Sequence, residues 1–270
     1  MNQQTMPVGA QLREWRQRRR MSQLTLALEA NISSKHLSFV ETGRAQPSRE
    51  MILHLCTRLT IPPREQNMLL LAAGYAPRFP ARPLEDPSLA AARMAVELVL
   101  AGHEPFPALA VDRHWTLVSA NRMIEPLLAG VGPALMEPPV NVLRVALHPD
   151  GLAPQIRNLT EWRHHVLERL RQQIEASADA TLIELMGELE SYPVPATRFP
   201  ASAPPAHQTD YGGVAIPLQL DTPAGLLSLF GTVTVFGTPI DVTLSELAIE
   251  AFFPADEASG EILRAIAKTT

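Results

Sequence analysis

Between Gly74 and Pro87 the chain carries prolines at positions 77, 80, 83 and 87, a spacing that excludes any continuous helix or paired strand. Each proline lacks an amide donor and fixes its own φ, and it pushes the residue before it into extended backbone. The stretch therefore reads as a stiff connector, and it divides the 270 residues into a short head and a longer body. With 46% apolar and 19% charged residues the chain has enough material for a core on each side, and it is not a disordered polymer.

The formal net charge of −5 hides an asymmetry between those two parts. Residues 1–80 hold 11 Lys/Arg against 5 Glu, a net +6, and residues 81–270 hold 12 against 23 acidic residues, a net −11. A basic head on an acidic body points to a polyanion as partner of the head alone. An Arg-rich helical domain with no such partner is the competing explanation.

Cys56 is the one cysteine, so neither a disulfide framework nor a cysteine-built zinc site is available. Met1–Arg20 has no apolar h-region, and the densest apolar run, Met68–Ala73, is far shorter than a membrane span. The expectation is a cytoplasmic protein without membrane insertion.

The periodicity of the first 75 residues predicts short helices over Val8–Arg20 and Gln23–Ala30, one capped by Ser33 and running to Val40 or Thr42, and two more over Glu50–Leu59 and Arg64–Ala73. Ser22, Ser33 and Ser48 stand where N-caps belong, and Gly43 where a helix stops. Asn31 can adopt the left-handed conformation that a tight inter-helix turn needs. The body mixes types. Helices are expected at Leu89–Leu100, Asn121–Leu128 and Leu159–Ala178, the last with Leu159, Trp162, Val166, Leu170 and Ile174 on one stripe. Ala108–Val111 and Thr116–Ser119 read as short strands. Val214–Leu220 and Leu226–Phe236 read as a hairpin around Asp221–Gly225; the apolar run Leu244–Phe253 suits helix or strand, and the alternation of Leu247, Ile249, Ala251 and Phe253 favours a closing strand. Tyr192–His207 is expected to be a loop.

The run Met21–Ser48 resembles the helix-turn-helix of the XRE family (Cro/C1-type repressors). The features that carry the likeness are Ser22-Gln23, the small Ala27, the turn Asn31-Ile32-Ser33, and Glu41-Thr-Gly-Arg44 followed by Pro47-Ser48. The resemblance implies an all-α DNA-binding head in which the second helix of the pair enters the major groove. It places Ser34, Lys35 and Phe39 toward base edges, and Ser33, His36 and Ser38 on the flanking surface. Gln23 and Arg44 become phosphate contacts that set the register. Lys35 can donate to guanine and Phe39 can pack on a thymine methyl. An aromatic at 39 departs from the usual polar residue, and a place in the core is its alternative. The implied partner is double-stranded operator DNA, an imperfect palindrome bound by a homodimer.

The body resembles the ligand-binding domain of MmyB-like transcription regulators, an α+β, PAS-like fold. The stretches Phe106–Trp115, Val118–Arg122, Pro139–Arg144, Leu147–Leu152, Asn158–Arg163, Phe236–Thr243 and Phe253–Glu257 carry that likeness in order. The implied organisation is a head over residues 1–74, a linker and connecting helix over 75–102, and a ligand-binding domain over 103–270. The implied effector is small and apolar, a fatty acid such as a C12–C16 acid. Candidates for its wall are Trp115, Met123, Leu127, Leu143, Leu147, Trp162, Val166, Phe230 and Phe236, with ordinary core packing as the alternative for each. Arg122, Asn141 and Arg144 are candidates to hold a carboxylate, with a structural ion pair equally open for Arg144.

No nucleophile elbow, phosphate loop or dinucleotide fingerprint occurs, so no enzyme activity is expected. His164 and His165 are adjacent on a helix and cannot chelate one ion together. No cofactor is required by this reading. A PAS-like haem or flavin sensor, with His103, His114 or His148 as an axial ligand, and a hydrolase fused to a helix-turn-helix are the alternatives.

Overall fold

The computed structural model describes residues 6–193, 216–235 and 241–269. The chain forms two compact units whose main boundary lies between Arg82 and Pro83, inside the proline-rich stretch.

The head contains five helices, α1 (Val8–Arg18), α2 (Gln23–Glu29), α3 (Ser34–Glu41), α4 (Arg49–Arg58) and α5 (Pro63–Ala72). Three of them start on a serine whose hydroxyl accepts an otherwise orphaned amide: Ser22 from Thr25, Ser33 from His36 and Ser48 from Met51. Asn31 takes φ 52° in the turn between α2 and α3. Leu12, Leu26, Leu37, Ile52, Leu55, Leu69 and Leu70, each no more than 1% exposed, fill the core. Gly9 lets α1 approach α3 closely, since a Cβ built there would stand 2.0 Å from the Val40 carbonyl oxygen. The connector is pinned to α5 by Asn67. Its amide nitrogen donates to the Phe79 carbonyl, and its oxygen accepts from the Arg78 and Phe79 amides.

The body is α+β. Among the described residues, five antiparallel strands form one sheet in the order β2-β1-β5-β4-β3: β1 (Ala108–Val111), β2 (Leu117–Ala120), β3 (Leu218–Thr222), β4 (Gly225–Val235) and β5 (Ala248–Pro254). The expected hairpin is β3–β4, closed at Thr222 opposite Gly225. Around the sheet lie α6 (Ala90–Gly102), α7 (Val142–Leu147), α8 (Leu159–Ser177), α9 (Ala180–Ser191), α10 (Val242–Ser245) and α11 (Glu257–Ala267).

Because strand side chains alternate faces, one face of the sheet presents Ala108, Ala110 and Ile249, which pack on Val96 and Leu100 of α6. Asn121 fastens this layer, its oxygen accepting from the Ala108 amide and its nitrogen donating to the Leu100 and Phe106 carbonyls. Asn158 ties the start of α8 to β3, donating to the Pro217 carbonyl and accepting from the Gln219 amide.

Several elements differ from the sequence expectation. The helix expected over Asn121–Leu128 is a turn followed by one 3₁₀ turn at Glu125–Leu128, because Pro126 supplies no amide for a longer helix. The strand expected from Leu244 begins at Ala248, after the short helix α10. Helices α7, α9 and α11 are additional, and α11 follows the last strand. The expected strand residues Val214 and Ala215 and most of the expected loop Tyr192–His207 lie outside the described residues.

Candidate functional sites: an exposed helix and an apolar cavity

In the head, α3 presents Ser34, Lys35 and His36 to solvent, while Leu37 and Val40 turn into the core. Ser33 is committed to capping α3, and Ser38 is half-buried. Phe39 is also half-buried rather than part of the core. Two cations lie over its ring, Lys35 Nζ at 5.7 Å and Arg44 Cζ at 5.9 Å from the centroid. The Phe39 carbonyl accepts from the amides of Arg44 and Ala45, which folds the loop after α3 back beside the aromatic ring. Lys35, Phe39 and Arg44 thus form one surface cluster.

Gln23 is placed differently from a free phosphate contact, since its side-chain amide donates to Glu41 at 2.8 Å. Glu41 is buried and also receives Arg16 of α1, through Nε at 2.6 Å and Nη2 at 2.9 Å. Burial pushes the Glu41 carboxyl up, but the hydrogen bonds from Arg16 and Gln23 outweigh it and hold it below the ordinary carboxylate value. The hydrogen bond to Glu41 keeps the Arg16 guanidinium above its ordinary value. This network sets the C-terminal end of α3 against α1 and α2; the sequence places Arg16 at helical spacing with Leu12 and Trp15, but it does not name Glu41 as its partner. The signal was there: an arginine on the same α1 face as buried Leu12 and Trp15 calls for an internal anion.

In the body, a cavity of about 210 Å³ lies between the sheet and its helical cover. That is more than ten times the roughly 15 Å³ one water molecule needs. Its floor is the second sheet face, with Leu109, Leu117, Leu218, Leu220, Leu229, Gly231, Glu250 and Phe252. Its cover comes from Val142, Leu143, Val145 and Ala146 of α7, and Trp162, His165, Val166 and Arg169 of α8. Trp115 closes one side from a left-handed turn at φ 66°, an unusual conformation for a bulky residue. The Asp112 carboxylate supports that turn by accepting from the His114 and Thr116 amides.

Of the wall residues expected from the sequence, Trp115, Leu127, Leu143, Trp162 and Val166 are brought together here. Met123 and Leu147 are buried but do not line the cavity. Phe230 belongs to the opposite sheet face, where its ring stacks on Phe253 at 5.4 Å between centroids. Strand alternation decides this, because Leu229 and Gly231 on either side take the cavity face. Phe236 lies outside the described residues.

None of the three expected carboxylate holders lines the cavity. Arg122 donates to Glu104 at 2.9 Å, and Arg144 grips Glu188 with Nε at 2.8 Å and Nη2 at 2.7 Å. Asn141 caps α7, accepting from the Leu143 and Arg144 amides, and donates to the His114 carbonyl. The polar residues that do line the cavity are His165, Arg169 and Glu250. Arg169 Nη2 donates to Glu250 at 2.8 Å, and its guanidinium lies over the Trp115 ring at 5.0 Å. Burial, then the charge of Arg169, holds the His165 imidazole below its ordinary value. Period could have found them. Arg169 is seven residues after Trp162 on the same helical stripe, and Glu250 alternates with Phe252 in β5.

His103, His114 and His148 do not line the cavity either. They meet the Phe252 carbonyl, the Asp179 carboxylate and the Asp150 amide respectively. Among the described residues no cluster of three metal-ligating side chains exists, and no helix is long and apolar enough to cross a membrane.

The exposed side of α3, with Lys35 and nearby Arg44, and the apolar cavity agree with what family comparison finds. Residues 7–68 match a helix-turn-helix domain, and residues 92–266 match the MmyB-like transcription regulator ligand binding domain. Both are regulator domains. A comparison with curated proteins finds no match. Since the second match spans well over half of the chain, the protein belongs to the family of MmyB-like transcription regulators, with a helix-turn-helix domain preceding its ligand-binding domain.

Proposed function

We propose that the protein is a one-component transcription regulator of the cytoplasm. Its head binds operator DNA as part of a homodimer, and its PAS-like body binds a small apolar effector with a fatty-acid-like chain, of the length of a C12–C16 acid. The observation that carries this reading is the cavity of about 210 Å³, walled by leucine, valine and tryptophan between sheet and helices. A space so apolar is unfavourable for water and favourable for a hydrocarbon chain. The Lys35–Phe39–Arg44 cluster supports the DNA half, because it joins two cations and an apolar plate on the exposed side of α3. An effector regulates only if DNA-competent and incompetent states bind it with different affinity.

The test combines a mobility shift and native mass spectrometry on the full chain. The expected results are competition by one genomic fragment over bulk DNA, a dimer mass, and a retained acyl compound that changes the shift. No preferred DNA at any salt concentration sinks the head reading. No retained compound, together with no thermal shift on adding C12–C16 chains, sinks the body reading.

A further inference from the structure

One residue of the cavity wall, Trp115, is held in the left-handed region, at φ 66°. That conformation is costly for so large a side chain and persists only where the surroundings impose it. Two supports are built into the protein. The Asp112 carboxylate accepts from the His114 and Thr116 amides, and the Arg169 guanidinium lies over the indole at 5.0 Å. A third support is whatever fills the cavity, because an empty space leaves that side of the ring without van der Waals neighbours.

The same turn is tied to the cover of the cavity. The Trp115 carbonyl accepts from the Val142 amide at 2.9 Å, and the His114 carbonyl accepts from Asn141 Nδ2 at 2.8 Å, both at the start of α7. His114 Nε2 meets Asp179 Oδ2 at 3.0 Å, and Arg113 Nη1 meets the same oxygen at 3.3 Å. Asp179 is the N-cap of α9, its other oxygen accepting from the Thr181 amide at 2.9 Å. Burial pushes the Asp179 carboxyl up, but the hydrogen bond from His114 and the Arg113 charge outweigh it and hold it below the ordinary carboxylate value. Ala178, just before it, is also left-handed, at φ 61°. Gln173–Ala178, the end of α8 and this turn residue, belong to the compact unit that contains the head.

We propose that the turn Asp112–Thr116 is a relay for the effector: Trp115 reads whether the cavity is filled, and His114 and Arg113 pass this through Asp179 to the joint between α8 and α9. An apolar chain packed on the indole favours the left-handed conformation. Without it the ring falls toward the empty space, and the backbone rotation draws His114 and Arg113 off Asp179. Occupancy and an intact His114–Asp179 contact thus favour one another, which is the differential binding a switch requires. The relay rests on the cavity being the effector site and adds how its occupancy is reported.

The test uses the full chain with sodium dodecanoate. Hydrogen exchange over residues 173–182 is read by mass spectrometry, and binding is followed by calorimetry. Dodecanoate is expected to slow exchange there at least fivefold in the wild type. In His114→Leu the slowing is expected to vanish while the dissociation constant stays within threefold, and dodecanoate no longer changes the mobility shift of the preferred DNA. Asp179→Asn, which keeps a capping oxygen, serves the same purpose should His114→Leu fail to fold. Slowing that survives in the variant, or wild-type binding without slowing, overturns the relay and leaves the cavity reading standing. A dissociation constant raised more than threefold assigns the contact to the pocket itself and overturns the relay likewise. No binding of dodecanoate overturns the cavity reading and the relay with it.

Discussion

The guanidinium of Arg16 meets the carboxylate of Glu41 in a two-pronged contact, at 2.6 and 2.9 Å, with both side chains removed from solvent. The pair joins the first helix to the end of α3, the helix that offers Lys35 and Phe39 to solvent. A buried pair adds little over an apolar replacement, but breaking it strands the surviving charge. Glu41→Gln is therefore expected to cost the head about 3 kcal/mol in urea unfolding, the usual scale for removing one partner. Because the folded-state value of Glu41 is lowered, its stabilisation is present above its ordinary value and lost as pH falls through the folded one. The difference between wild type and variant should shrink on acidification, and a difference that is constant from pH 7 to pH 3 contradicts this account.

Gly9→Ala sets two effects against each other. Alanine favours a helix over glycine by about 1 kcal/mol. The added Cβ, however, would sit 2.0 Å from the Val40 carbonyl oxygen, and backbone cannot swing aside as a side chain can. Overpacking of this kind costs about 1–3 kcal/mol, so a net loss and a lower melting temperature are expected. A more stable variant would show that α1 and α3 cross less closely than described.

Lys35 and Arg44 flank one ring but should fail differently when removed. Arg44→Ala is expected to weaken binding to all DNA sequences alike and to reduce the salt slope by about 1, as a phosphate contact does. Lys35→Ala and Phe39→Ala are expected to cost about 1–3 kcal/mol on the preferred sequence and little on bulk DNA. Competition titrations at several salt concentrations separate the two patterns. Identical behaviour of all three variants would remove the distinction between reading and anchoring.

Cys56 is fully buried in the head, and burial pushes its thiol up to about 12. Thiolate is the reactive form, so a disulfide reagent at pH 8 should label the native protein only as fast as the head opens. Labelling should become complete within minutes once urea unfolds the head. Stoichiometric modification of the native chain within minutes contradicts the burial.

The helical head and much of the body were legible in the sequence. These depend on local rules. Prolines at 77, 80 and 83 interrupt helix and strand, serines 22, 33 and 48 cap helices, and apolar residues repeat at helical spacing in α8. The apolar wall was half legible for the same reason, since Trp162 and Val166 share a stripe with buried Leu159 and Leu170. What tertiary structure alone decided is which polar groups meet. Arg122 looked available beside apolar segments, yet Glu104 neutralises it, and the structural ion pair open for Arg144 is made with Glu188, 44 positions away. Arg169 found Glu250 across 81 residues, and Gln23 found Glu41 across 18. Local periodicity fixes which face a side chain takes. The partner waiting on that face is set by how distant segments pack, and charge pairs only with what packing brings within about 3 Å.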